Sequence, residues 1–364
     1  MFVRVSATLL CAAFASLFSI GHASAQASQP EPDKQAAYAS DPKFRAAWDE
    51  AKGLAHRHQY RFAGDAYKKA NKVADGKCME CLAALYSVDL SSNNFKEAVN
   101  AAASMEQLAP NPGAKSVAEY RQAYAIFAGA GEKPKTDKLE AGHALLQQAL
   151  DHSPTNAPAL YLDGQILSRL GRLEDAKTEF NKCVSCVNPK DPARLRAEHF
   201  AENPELSLHK MAPAFEVTAM DGSKFNLDAM GGRVVLIDFW ATWCGPCNRE
   251  IPHMKAIAKE FAGEPLVMIS VSLDKDGAKW KDFVAAHEMN WVQYRDADGK
   301  LGEEFGVTTI PRYFTIDSDG VLTSVMVDEG SDVEGKLKKL IAKAHAAQRE
   351  TVATAAGPEH VQAN

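Results

Sequence analysis

The nine residues Phe239-Trp240-Ala241-Thr242-Trp243-Cys244-Gly245-Pro246-Cys247 join two different periodicities. Before them, Arg233 to Phe239 (Arg-Val-Val-Leu-Ile-Asp-Phe) is a continuous apolar run of the kind buried strands show. After them, Cys247 to Phe261 carries a helical pattern. A C-x-x-C at such a strand-to-helix junction has a physical logic. The helix N-terminus presents unpaired N–H groups and partial positive charge. A thiolate placed there is stabilised, so Cys244 is expected to have a depressed pKa and to act as nucleophile. Cys247, about one turn on, is expected to be more buried and to resolve the mixed disulfide that Cys244 forms. Gly245-Pro246 allows the tight turn and starts the helix, and Trp243 precedes the pair.

Around this segment, strands and helices alternate. Phe215 to Thr218 and Lys224 to Leu227 read as a hairpin about an Asp221-Gly222 turn. Leu266 to Val271 is a second buried run, and Arg312 to Ile316 with Val321 to Val327 form a strand pair around Ser318-Asp319-Gly320. Helical patterns occupy Lys279 to His287 and Val333 to Ala346. This order predicts an α/β sheet with mixed strand directions over residues 206–347. Residues 348–364 are weakly patterned and are expected to be a disordered tail.

Residues 43–200 differ. They are Ala-rich, helical in period and almost free of β-branched runs. Four partial units recur: Ala63/Tyr67/Ala70, Ala98/Ala102/Met105, Gly142/Leu146/Ala149 and Ala176/Phe180/Cys183. The middle interval is about ten residues longer than the others, and Gly129 to Lys135 is the expected insertion. The best unit runs from Ala157 to Pro189 and resembles the tetratricopeptide repeat, with Gly164 and Ala176 where that family packs its helices closely. The resemblance implies an all-α helical repeat, a solenoid of stacked helix pairs, with a surface for an unidentified protein partner. A generic helical bundle is the competing reading.

At the start of the chain, Met1 to Ala25 reads as a secretory signal: Arg4, an apolar run from Val5 to Ile20, then Ala23-Ser24-Ala25. An uncleaved anchor is the alternative. Residues 26–42 read as a polar, Pro-bearing linker. Cleavage near Ala25 removes Cys11 and Arg4 and takes the formal charge from −6 to −7. The expected location is the periplasm or cell envelope, where cysteines can form disulfides. The mild acidic excess excludes a generic nucleic-acid binder, which needs a basic face.

The segment Phe239 to Cys247 resembles the thioredoxin active site, and finer features resemble the TlpA/ResA branch of thiol-disulfide oxidoreductases. These are the leading hairpin with Ala212-Pro213-x-Phe215, the wide Cys244-to-Pro311 spacing, and Glu250 three residues after Cys247. The resemblance implies a thioredoxin fold with an N-terminal hairpin and a central insertion. It implies Asp238 as proton acceptor for the resolving thiol, Pro252 as a helix-kinking proline, and Ile310-Pro311 as the cis-proline loop facing the site. Glu250 is either an active-site carboxylate or a plain first-turn Glu. Arg312 departs from the Thr commonest after that proline. Gly-Pro is the dipeptide of thioredoxin, a reductant at about −270 mV. The expectation is a reductase of protein disulfides whose redox centre is the Cys244–Cys247 dithiol, with no separate cofactor or metal. Outside the cytoplasm it would need a membrane electron donor. A repeat scaffold with a non-catalytic thioredoxin module is the main rival. A peroxiredoxin ranks lower, because the Pro-x-x-x-Thr-x-x-Cys setting is missing before Cys244.

Two further pairs, Cys78/Cys81 and Cys183/Cys186, leave three readings open: local disulfides pinning helix ends, auxiliary redox pairs, or one four-cysteine zinc site. Covalent haem is excluded on its usual motif, because Leu, Val and Asn follow Cys81, Cys186 and Cys247, never His.

Overall fold

The computed structural model describes residues 36–189, 191–327 and 332–355, so the signal-peptide reading and most of the linker lie outside the described residues. Two compact units divide at Leu208 and His209.

The first unit is helical. Its elements are α1 (Pro42–His56), α2 (Tyr60–Val73), α3 (Met79–Ser91), α4 (Phe95–Leu108), α5 (Pro112–Gly129), α6 (Thr136–His152), α7 (Ala157–Arg169), α8 (Leu173–Cys186) and α9 (Pro192–Glu202). Each helix packs on its sequence neighbour. The four sequence units fall in the second helix of each pair, α2, α4, α6 and α8, and their small and large apolar residues are the buried ones. Asp41, Cys78, Asn111 and Asn156 cap α1, α3, α5 and α7 through side-chain acceptors, each satisfying an otherwise unpaired N–H. Gly164 is required by close approach: a Cβ there would lie 2.7 Å from the Phe180 ring. That ring cannot yield, because it is fully buried between Tyr161 and Phe200.

The long middle interval has a second cause besides the expected insertion. The loop at residues 130–135 supplies only part of it. α5 has 18 residues against 13 for α3 and α7, and α6 has 17 against 14 for α2, α4 and α8, so the third pair is itself longer.

The second unit is an α/β fold. A small hairpin, β1 (Glu216–Thr218) with β2 (Lys224–Asn226), precedes a five-stranded sheet. The sheet comprises β3 (Val234–Trp240), β4 (Leu266–Ser272), β5 (Val292–Arg295), β6 (Arg312–Ile316) and β7 (Leu322–Val327), in the order β5-β4-β3-β6-β7. β3, β4 and β5 run parallel, while β6 and β7 run antiparallel to their neighbours. The helices are α10 (Gly245–Glu260), α11 (Gly277–Ala286), α12 (Lys300–Glu304) and α13 (Val333–Ala355). β5 and the five-residue α12 are too short to carry a period and are not foreseen from the pattern. α13 runs to Ala355, so residues 348–355 are helical rather than tail; residues 356–364 lie outside the described residues.

Strand alternation sorts the core into two layers. Val235, Ile237 and Phe239 face Phe305, Phe314 and the hairpin residues Phe215 and Val217. Val234 and Leu236 face Met254 and Ile257 of α10 and Leu337 and Ile341 of α13. Asp238 keeps the parity of the second set, which turns it toward α10.

Candidate functional site

Cys244 ends the β3-to-α10 loop in an extended conformation, φ −86° and ψ 102°, and caps α10. Its Sγ accepts from the Cys247 amide at 3.2 Å. Cys244 and Cys247 are joined as a disulfide with Cα atoms 5.3 Å apart. The loop ahead of them is tied down. Asp274, two residues past β4, accepts from the Thr242 amide (2.9 Å) and from the Thr242 hydroxyl (2.7 Å). Asn248 donates to the Thr242 carbonyl at 3.0 Å. Trp243 is 65% exposed, whereas Cys244 and Cys247 are nearly covered. Gly245 and Pro246 form the first turn of α10, which continues through Pro252.

The Ile310–Pro311 bond is cis, and the Ile310 carbonyl oxygen lies 3.9 Å from Cys244 Sγ. Arg312 begins β6 directly after it, opposite Phe239.

Sheet register builds the carboxylate beneath the disulfide. Asp238 pairs with Ser270 on one side and Tyr313 on the other, so the three side chains share one face. The Ser270 hydroxyl donates to Asp238 Oδ1 at 2.5 Å, and Trp291 Nε1 donates to Ser270 at 2.7 Å. Burial pushes the Asp238 carboxyl up to about 7, against the downward pull of the Ser270 and backbone hydrogen bonds. A carboxyl poised there can exchange a proton near neutral pH.

Between Asp238 and Cys247 lies a cavity of about 10 Å³, also lined by Glu250, Trp240, Tyr313 and Pro311. That is room for about one water. Glu250 is buried; its Oε2 accepts from the Tyr313 hydroxyl (3.4 Å) and bonds His253 Nδ1 (2.9 Å). The structure therefore brings Cys244, Cys247, Asp238, Glu250 and Pro311 together. Residues not singled out in the sequence are Ser270, Trp291, Asp274, Tyr313 and His253. The two serines and Asp274 in Ser270-x-Ser272-x-Asp274, polar residues at the end of an apolar strand, were the available signal.

Of the other two pairs, Cys78 and Cys81 form a disulfide with Cα atoms 5.2 Å apart. Cys183 and Cys186 do not: both are free, Cys183 buried and Cys186 exposed. The expectation of a bond there is corrected by helix geometry. Both residues lie inside α8, where Cβ atoms three apart are about 5–6 Å from each other, against about 3.5–4.5 Å for a disulfide. Cys183 Sγ turns to the Ala157 carbonyl (3.5 Å), and burial raises its thiol to about 12.

The Redoxin family model matches residues 208–341. Thiol-disulfide oxidoreductase ResA of Bacillus thuringiensis (strain Al Hakam) is 31% identical over 143 residues, 39% of this chain and 83% of that protein. Thioredoxin-like protein YneN of Bacillus subtilis (strain 168) is 30% identical over 121 residues, 32% of this chain and 70% of its own length. Among solved structures, a thiol-disulfide oxidoreductase from Bacteroides fragilis NCTC 9343 is 27% identical, covering 36% of this chain and 99% of that one, with a TM-score of 0.34. Fold and relatives together define a thiol-disulfide oxidoreductase of the thioredoxin-like class. The chain belongs to the TlpA/ResA family within that class, carried behind a helical repeat unit.

Proposed function

We propose that this protein reduces disulfides of other proteins outside the cytoplasm, with Cys244 as nucleophile and Cys247 as resolving thiol. Cys244 Sγ attacks a substrate disulfide, forms a mixed disulfide and releases one substrate thiolate. Cys247 then loses its proton and attacks Cys244 Sγ, which forms the Cys244–Cys247 bond and expels the second substrate sulfur as thiolate. The oxidised pair is returned to the dithiol by a dithiol electron donor at the membrane. Asp238 accepts the Cys247 proton, Glu250 assists, and the Ile310-Pro311 loop lies along the substrate backbone. Trp243, Gly245 and Pro246 shape the approach.

The observation that carries this reading is one juxtaposition. A helix-capping disulfide sits over a buried carboxyl poised at about 7, across a cavity sized for about one water. The apolar segment at Val5 to Ile20 supports placement outside the cytoplasm. The stacked helix pairs support recruitment of a protein partner.

The test is trapping. A Cys247→Ala variant, reduced and mixed with a disulfide protein such as insulin, is expected to accumulate a mixed disulfide on Cys244. Absence of that adduct, with no Cys244-dependent insulin reduction by the unaltered protein, would leave a scaffold role instead.

A further inference from the structure

Glu250 does not end at the cavity. Its Oε2 is bonded to His253 Nδ1 at 2.9 Å, and His253 Nε2 reaches Glu334 Oε1 of α13 at 3.1 Å. Exposure rises along this line: Glu250 is buried, the His253 side chain is 28% exposed and the Glu334 side chain 35%. One imidazole is therefore clamped between a carboxylate at the buried cavity and a carboxylate in contact with solvent. At the inner end, Trp240 Nε1 is buried without a hydrogen-bond partner and belongs to a residue lining the same cavity.

We infer that His253 and Glu334 are the outer half of a proton path that serves the resolving step, carrying the proton of Cys247 from Glu250 to solvent. The inference rests on Cys247 being the resolving thiol. Asp238 takes the Cys247 proton as the Cys247–Cys244 bond forms and the bond to the substrate sulfur breaks, and the proton then passes across the cavity to Glu250. Glu250 hands a proton to His253 Nδ1, and the Nε2 proton leaves to Glu334 and water. The departing substrate thiolate takes a proton from solvent, so protons balance. His253 touches no reacting atom and acts through Glu250; it is a positioning and relay residue.

The imidazole is tuned to this task. Burial draws His253 down, but hydrogen bonds to Glu250 and Glu334 outweigh it and leave it raised. The groups around the path come from every packed element. Glu250 lies on α10 itself, Tyr313 on β6 and Asp238 on β3. From α13 come Glu334 and its neighbour Lys338, which pairs with Glu260 of α10; Asp332 precedes them.

Reaction of the reduced protein, carrying Cys186→Ser so that this exposed thiol does not contribute, with the chromogenic disulfide 5,5′-dithiobis(2-nitrobenzoate) separates the two steps. Attack by Cys244 releases the first thionitrobenzoate, and resolution by Cys247 releases the second. Glu334→Gln and His253→Ala are expected to slow the second phase about tenfold, within the range of general acid–base effects, and to flatten its pH dependence. The first phase should stay within about twofold. His253→Asn can still hold Glu250 but cannot titrate, so it should retain the flattened profile and thereby exclude mere loss of packing. Second phases that match the unaltered protein in rate and pH profile would overturn the path. Absence of any second phase in the unaltered protein would overturn the assignment of Cys247 instead.

Discussion

Cys78–Cys81 and Cys244–Cys247 are built alike and surrounded differently. In each, the first cysteine caps a helix in extended conformation, φ −81° and ψ 97° at Cys78, and accepts from the amide of the second. Each pair is closed as a disulfide with nearly equal Cα separation. Cys78 and Cys81 are completely covered in the helical core, however, and the neighbouring carboxylate, Glu80, bonds the Tyr38 hydroxyl. Cys244 has an exposed Trp243 beside it, the Ile310 carbonyl in front and a cavity with two carboxylates behind Cys247. Local sequence therefore makes the disulfide, while tertiary neighbours decide whether it can exchange. A sulfur must be reachable by the attacking thiolate, and its partner must be able to shed a proton.

The strongest way to break this contrast is turnover. Cys244→Ser is expected to lower insulin reduction on the order of 10³-fold or more, since the nucleophile is lost. Cys78→Ser should leave turnover within about twofold. Equal losses would mean that the buried pair also carries electrons, the auxiliary role its motif allowed.

Asp238 sharpens the contrast. Its folded-state value of about 7 exceeds the ordinary 3.8, so the folded state holds its proton more tightly than the unfolded chain. Stability from this group is therefore complete below pH 3.8, falls as pH rises to about 7, and stays low above that. Asp238→Asn is expected to be more stable than the unaltered protein at pH 8, by at most on the order of 4 kcal/mol, and equal to it near pH 4. Urea unfolding of the second unit at both pH values checks this, and the same variant should slow resolution more than attack.

Much of the fold was legible because it rests on periodicity. The apolar run of β3 and the small-large spacing of α2, α4, α6 and α8 are local patterns that burial must obey. The site was half legible. Cys244, Cys247 and Pro311 lie in short motifs, and Asp238 could be matched by its offset from Cys244. His253 meets Glu250 by i,i+3 spacing on α10, but Ser270 and Tyr313 flank Asp238 only through strand register, and Trp291, Asp274 and Glu334 arrive through packing of distant elements. No spacing in the chain encodes those meetings. Cys183/Cys186 shows the converse: the same C-x-x-C spacing fails to bond when both residues sit in the last turn of a helix.

Removal of the buried bond should cost less than the effects above. A disulfide closing so short a loop contributes about 2 kcal/mol by chain entropy. Cys78→Ala combined with Cys81→Ala is expected to lower the stability of the helical unit by about that much, seen as an earlier urea midpoint for helical ellipticity. The Cys244-dependent rate should persist wherever the second unit remains folded.

The third pair gives the mildest effect and extends the comparison to two thiols that are free in the structure. Cys183 is buried, with its thiol raised to about 12 by burial, whereas Cys186 is exposed at the end of α8. The raised thiol and burial of Cys183 both disfavour it, and access leaves Cys186 as the nucleophile. Alkylation with iodoacetamide under native conditions at pH 8, followed by mass spectrometry, should therefore label Cys186 at least about tenfold faster than Cys183. Unfolding in urea should erase the difference, since it comes from burial rather than from sequence. Equal labelling in the native protein would mean that the last turn of α8 opens readily, and Cys183/Cys186 would then regain the freedom to bond that the intact helix denies them.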